Sequence, residues 1–170
     1  MYHRIVVPLD GSELAEGAVS EAVELARNVG DRLHLLRVVD STWVSRYGLY
    51  GLAIETSSVD GILRADRAAA TSYLDHMQTR LESTGIPVTS ERREGRAADE
   101  IVAAVRPGDL IVMASHGRTG ALRFALGSVA EDVARHATAP VLLCRVAHNK
   151  HMTMPEQRVA EAAFQTTNGM

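Results

Sequence analysis

Short β-branched runs alternate with helix-periodic segments along most of this chain. That alternation limits the fold more than any other feature. HRIVVPL (3–9), RLHLLRVV (32–39), IPVTSERR (86–93), DLIVMA (109–114) and VLLCRV (141–146) read as strands. After the first, Ser12 is placed to cap a helix on which Leu14, Ala18, Ala22, Leu25, Ala26 and Val29 recur, with Gly30 as the stop. Leu63, Ala70, Leu74, Met77 and Leu81 mark a second helix ending at Gly85, and AADEIVAAV (97–105) a short third. Pro107-Gly108 is a turn. Val129, Val133, Ala134 and Ala137 share one face of a fourth helix.

Strands separated by helices imply a parallel sheet with helices on both faces. Right-handed crossovers leave two common strand orders, 3-2-1-4-5 and 2-1-3-4-5. In either, ligands bind at the carboxyl ends of strands, where the order reverses. The loops after strands 1 (PLDGS) and 4 (ASHGRTGALRFALGS) carry the chemistry, while the loop after strand 3 is a short connector. That favours the 3-2-1-4-5 order: a five-stranded, doubly wound α/β domain over residues 1–146. Residues 147–170 then form a C-terminal appendage with a short helix after Pro155 and a frayed end.

Bulk chemistry narrows the function classes. A net charge of −3 argues against a nucleic-acid partner, which needs a basic face. No apolar run approaches a membrane span, and the start lacks the apolar core of a signal peptide, so a cytoplasmic protein is expected. Cys144 is the only cysteine; it reads as a small buried strand residue rather than a reactive thiol. Lys150 is the only lysine, which removes lysine-based mechanisms from the first 149 residues. His148 and His151 read as part of a solvated tail, because no further ligands converge on them.

The stretch MASHGRTGALRFALGSVAEDVARHA (113–137) is the most loaded. Glycines let backbone amides approach an anion, and a helix N-terminus adds unpaired N–H groups and partial positive charge. Gly127 and Ser128 stand directly before the last helix, where their amides and the Ser128 hydroxyl can hold phosphate oxygens. The bland alternative is equally open: Ser128 caps the helix and the glycines make turns. Neither the lysine-bearing phosphate loop nor a G-x-G-x-x-G turn is present.

These residues resemble the universal stress protein family. Its nucleotide-binding members carry Gly, two residues, Gly, nine residues, Gly, then Ser or Thr. Here the second glycine is Gly117, and RTGALRFAL leads to Gly127 and Ser128. The first glycine position is Ala114, a departure of one methyl group where backbone meets ligand. The likeness runs from residue 2 to about 146 and includes IVVPLDGS, RVVD and GSVAEDVARHATAPVLLCR.

The resemblance implies ATP with Mg²⁺ as the ligand. Pro8 and Leu9 would line the nucleotide, and Asp10 would face the ribose or a phosphate-bound Mg²⁺. Val38 would touch the adenine, its backbone available to the polar edge of the base. Met113, Ala114, His116 and Gly117 would form one wall, and Gly127, Ser128 and Val129 would hold the phosphates. Arg118 and Arg123 fall between motif positions and read as solvated. Each site residue has a structural alternative: Asp10 as a turn cap, His116 as a loop-orienting group, Val38 and Met113 as core.

The leading reading is an ATP-binding regulatory or stress-response protein with at most slow hydrolysis, since Asp10 is the only acid in the motifs. The alternative is a nucleotide-free dimeric interaction module of the same fold, toward which Ala114 points. A phospho-accepting receiver domain would need clustered acids after strand 1, an acceptor Asp after strand 3 and a lysine after strand 5, and these are missing. The last strand, Val141 to Val146, would be an exposed apolar edge that invites antiparallel pairing with a second copy. The resemblance implies the same homodimer, and the tail after it is expected to pack over the partner subunit. The 40–57 segment, with Trp43, Tyr47 and Tyr50, is a candidate contact surface or cover.

Overall fold

The structure is a computed structural model that describes residues 2–29, 32–44, 56–115 and 126–145. Its elements run β1 (Arg4–Pro8), α1 (Glu13–Val29), β2 (Leu33–Val39), α2 (Thr56–Glu82), β3 (Val88–Glu94), α3 (Ala97–Ala104), β4 (Asp109–Ala114), α4 (Ser128–His136) and β5 (Val141–Cys144). The five strands form one parallel sheet in the order β3-β2-β1-β4-β5, the order that the loaded loops favoured.

Order and handedness decide which face each helix covers. The chain steps one way through β1, β2 and β3, then crosses back and steps the other way through β4 and β5. Right-handed crossovers therefore put α1 and α2 on one face and α3 and α4 on the other. Two core clusters follow. One joins Ile5, Val7, Leu33, Leu35 and Val112 to Ala15, Val19, Ala22 and Ala26 of α1 and Leu74, Met77 and Leu81 of α2. The other joins Val6, Leu36, Ile111 and Met113 to Ala98, Ile101 and Ala104 of α3 and Ala130 and Val133 of α4. Strand side chains alternate between the two, as a period of 2 requires. β1 and β4 are buried along their whole length, which matches the unbroken apolar run of DLIVMA.

Several local expectations change. The buried stripe of α1 is Ala15, Ala18, Val19, Ala22 and Ala26; Leu14 and Leu25 flank it, and Val29 is exposed at the last turn. Small residues let this helix lie close to the sheet. On α4, Ala130 and Val133 face the core, whereas Val129 and Ala134 are exposed. Val129 sits in the first turn, over the end of the sheet rather than its face. α2 begins at Thr56, inside the 40–57 segment, and β5 ends at Cys144 rather than Val146. Cys144 is half-buried against the α1-side core, and burial pushes its thiol up, away from reactivity. The appendage at 147–170 and the aromatic residues Tyr47 and Tyr50 lie outside the described residues.

The amino edge of the sheet is closed by polar chemistry. Arg4 opens β1 and Asp109 opens β4 directly beside it. The Arg4 guanidinium donates from Nε (3.1 Å) and from one terminal nitrogen (2.6 Å) to the two Asp109 oxygens, and also to the Ala104 carbonyl (2.9 Å). Asp109 accepts a further bond from the Arg106 amide at 2.7 Å. Both side chains are buried. Gly108, at φ +87°, turns the chain here; a Cβ would lie 2.5 Å from the His3 ring, so the turn needs glycine for space as well as conformation.

Candidate functional site at the carboxyl edge

The carboxyl edge is built differently. β1 ends at Pro8, and Leu9 donates its amide to the Leu36 carbonyl at 2.8 Å before the chain turns into α1. Asp10 makes that turn: its Oδ1 accepts from the Ser12 amide (2.9 Å) and the Ser12 hydroxyl (2.5 Å). Ser12 Oγ in turn accepts the Ala15 amide at 3.1 Å, so Ser12 caps α1 as expected. Gly11, at φ +78°, lies against the Arg37 guanidinium, which donates to the Leu9 carbonyl at 3.2 Å.

β2 runs past the end of β1. The amide of Ile5 reaches the Arg32 carbonyl and that of Leu9 the Leu36 carbonyl, while the Leu33 amide reaches Pro87 and the Val39 carbonyl receives Gly95. Even-numbered residues of β2 thus turn their backbone polar groups toward β1. Val38 is the next even-numbered residue after the Pro8–Leu36 pair, so its backbone polar groups lie on the β1 side at the end of the ladder, beside Leu9.

At the far side, the base of the loop after β4 is pinned. Ser115 donates its amide to the Cys144 carbonyl (2.9 Å), and its own carbonyl accepts the Gly127 amide (2.8 Å). This corrects one expectation. The Gly127 amide is engaged within the protein, so the donors at the helix start are the first-turn amides of Ser128, Val129 and Ala130, which have no carbonyl behind them in the helix. The alternative role for Ser128 also falls: the capping position belongs to Gly127, and α4 has no side-chain cap bond.

One cavity of about 260 Å³ lies between these parts. It is lined by Pro8, Leu9 and Asp10 from the β1 end, Val38 from β2, Met113 and Ala114 from β4, and Gly127, Ser128 and Val129 from the start of α4. Nine predicted site residues from four separate stretches of chain therefore meet around one space. His116 and Gly117 lie outside the described residues. Five further residues line it that the motifs did not signal: Ala15, Leu36, Ala97, Ile101 and Ala130. Leu36 stands two positions from Val38 and Ala130 next to Val129, and both were within reach of a periodicity argument. Ala97 and Ile101 were not, because only the crossover order brings α3 over the crevice.

The electrostatics are simple. Asp10 is the only ionisable group among the described lining residues. The other described walls are apolar side chains, bare backbone and the Ser128 hydroxyl. A second, more polar depression shares Asp10 and Val38 and lies on the α2 side, lined by Arg37, Asp40, Trp43, Asp66 and Tyr73. Trp43, from the segment read as a cover or contact surface, is thus beside the crevice. Among the described residues, no group of three or more His, Cys, Asp and Glu side chains could hold a metal ion, and no helix is long and apolar enough to cross a membrane.

Comparison with known proteins agrees with this architecture. The model of the universal stress protein family matches residues 1–145. The universal stress protein MJ0531 of Methanocaldococcus jannaschii is 35% identical over 149 residues, covering 85% of this chain and 83% of the relative. The solved structure of the universal stress protein UspA from Lactobacillus plantarum superposes with a TM-score of 0.70 at 29% identity, covering 85% of this chain and 98% of that one. A family member from Arabidopsis thaliana, solved with AMP bound, shares the fold at 15% identity and a TM-score of 0.58, covering 91% and 98% of the two chains. The chain belongs to the universal stress protein family.

Proposed function

We propose that this universal stress protein binds an adenine nucleotide, ATP with Mg²⁺, in the carboxyl-edge cavity, and that nucleotide occupancy regulates its interactions in a stress response. The observation that supports this most is the convergence of residues from β1, β2, β4 and α4 on one space. One end of that space has three first-turn amides of α4, an arrangement suited to phosphate oxygens. The other end is apolar, lined by Leu36, Val38, Ala97 and Ile101, which suits a purine ring. The AMP held by the Arabidopsis relative is consistent with the same ligand class.

Mg²⁺ asks little of such a site. It is commonly held by substrate phosphates with one or two carboxylates, and Asp10 is the described carboxylate at hand. Among the described lining residues Asp10 is the only charged group, which goes with a switch more than a catalyst. Phosphoryl transfer needs a positioned water and neutralisation of developing charge, so slow hydrolysis at most goes with this lining. A cytoplasmic homodimer fits the reading. β5 is an edge strand of four residues, paired with β4 alone among the described strands, and Leu142 on it is 37% exposed.

Ala114 favours the second reading, a nucleotide-free interaction module, because its methyl group occupies the cavity wall. Two measurements decide between them: mass spectrometry of ligand released from the purified protein, and a thermal shift with Mg-ATP. ATP on the protein, or a shift of several degrees, supports the nucleotide reading. No released nucleotide and no shift at millimolar Mg-ATP leaves the nucleotide-free module.

A further inference from the structure

The cavity has two chemically different ends, and one helix closes the apolar one. α4 packs on β5, whereas α3 packs on β2 and β3 and against α4. Ser128 and its neighbours therefore bound the cavity toward β4 and β5, while Leu36, Val38, Ala97 and Ile101 bound it toward β2. Ala97 and Ile101 are four residues apart and share one face of α3. None of these four side chains can make a hydrogen bond. A slot of this kind takes a flat heteroaromatic ring and reads it by shape, with only backbone groups for its polar edge.

We propose that Ala97 sets the height of this slot and so determines the size of nucleobase that the protein accepts. The proposal rests on the nucleotide reading above and goes beyond it, since Ala97 lies outside the glycine-rich pattern.

For Ala97 to act this way, α3 must be unable to retreat. It is anchored in three directions. Ala98, Ile101 and Ala104 are buried in the core with Val6 and Leu36, so a shift of the helix would open a void there. The turn before it is tied to the sheet, because Gly95 donates its amide to the Val39 carbonyl at 3.1 Å. Gly95 holds φ +143° and has the Glu100 carboxylate 3.0 Å from where a Cβ would stand, so this turn has no room to slide along the helix. Arg96 bonds Asp99 of α3 at 2.7 Å and also reaches Asp132 of α4, linking the two helices beside the cavity. The ion pairs are exposed and individually weak, so the core anchors dominate. Bulk added at position 97 then enters the slot.

The test is calorimetric titration of the full chain, as wild type, Ala97→Gly and Ala97→Leu, with Mg-ATP, Mg-UTP and Mg-tripolyphosphate. Ala97→Leu is expected to lower ATP affinity at least tenfold and to cut the ATP-over-UTP preference at least fivefold. Tripolyphosphate binding should stay within twofold in both variants, and Ala97→Gly, which removes bulk from the slot, should lower ATP affinity less than Ala97→Leu does. Unchanged tripolyphosphate binding also reports that the variant is folded at the α4 end. An Ala97→Leu protein with the wild-type ATP-over-UTP preference overturns the proposal, and so does an equal loss of tripolyphosphate affinity. Wild type that binds none of the three ligands defeats the nucleotide reading itself, a result distinct from both.

Discussion

The two edges of this sheet contrast sharply. At the amino edge, Arg4, Asp109, the Ala104 carbonyl and the Arg106 amide satisfy one another in a buried cluster. At the carboxyl edge, β1 stops early, β2 overshoots it, and the ends of β1, β2 and β4 line an open space with the start of α4. The same strands supply both ends. The difference shows that burying polar groups with partners closes an edge, and that withholding partners leaves a site. Stability therefore belongs mainly to one edge and binding to the other, and substitutions can separate them.

The largest stability effect is expected at the closed edge. Asp109→Ala leaves the Arg4 guanidinium buried without its carboxylate, a change of about 3–5 kcal/mol in unfolding free energy by analogy with broken buried pairs. Urea denaturation should show this. The double substitution Arg4→Met with Asp109→Leu should be less destabilised than Asp109→Ala alone, because no charge is left stranded. If the single variant is within about 1 kcal/mol of wild type, the edge is not closed as described.

At the open edge the balance should reverse. Gly127 has φ −63° and ψ 144°, a conformation open to any residue. Gly127→Val should therefore keep its stability within about 0.5 kcal/mol, yet lose roughly tenfold or more in ATP affinity from bulk in the cavity. Equal losses of stability and affinity would blur the contrast between the edges.

A smaller, pH-dependent effect belongs to His34, near the closed edge. Its ring nitrogens lie 2.9 Å from Thr89 Oγ1 and 3.2 Å from Glu91 Oε2, tying β2 to β3. Burial first, and then the Arg4 charge, hold its imidazole below the ordinary value, against the hydrogen bond and charge of Glu91 and the charge of Asp109. The unfolded chain then takes up this proton before the native one does. Stability should fall as pH drops from about 6.5 toward the folded value, and be retained above it. In His34→Gln the dependence of the urea midpoint on pH between about 7 and 5 should be shallower. An unchanged slope would place the proton uptake elsewhere.

The smallest effect should come from the exposed Arg135–Glu131 pair on α4, four residues apart at 2.7 Å. Arg135→Ala should change stability by about 0.5 kcal/mol or less and leave ATP affinity unaltered. A larger loss of affinity would mean that the helix start is less rigidly placed than the Gly127–Ser115 bond implies.

Much of the fold was legible in the sequence because period-2 and period-3.6 patterns report directly on burial. The five strands were found within two residues at their ends, and the α2 stripe from Leu63 to Leu81 matches residue for residue. The misplacements have a common cause. Val129, Ala134 and Val29 are apolar by type, but helix phase and the limited extent of the sheet leave them exposed. Apolar identity alone cannot tell a core contact from the rim of a crevice.

The sequence by itself determined the parallel α/β sheet, its strand order and the loops that carry chemistry, because each follows from local periodicity plus the handedness of crossovers. Only the tertiary structure decided which backbone groups were left over. The Gly127 amide is taken by Ser115, Val38 lines the crevice just past the last β1–β2 pair, and Ala97 stands over the crevice through the crossover to α3. These are long-range facts. Each depends on where a distant segment ends, and no local pattern records that.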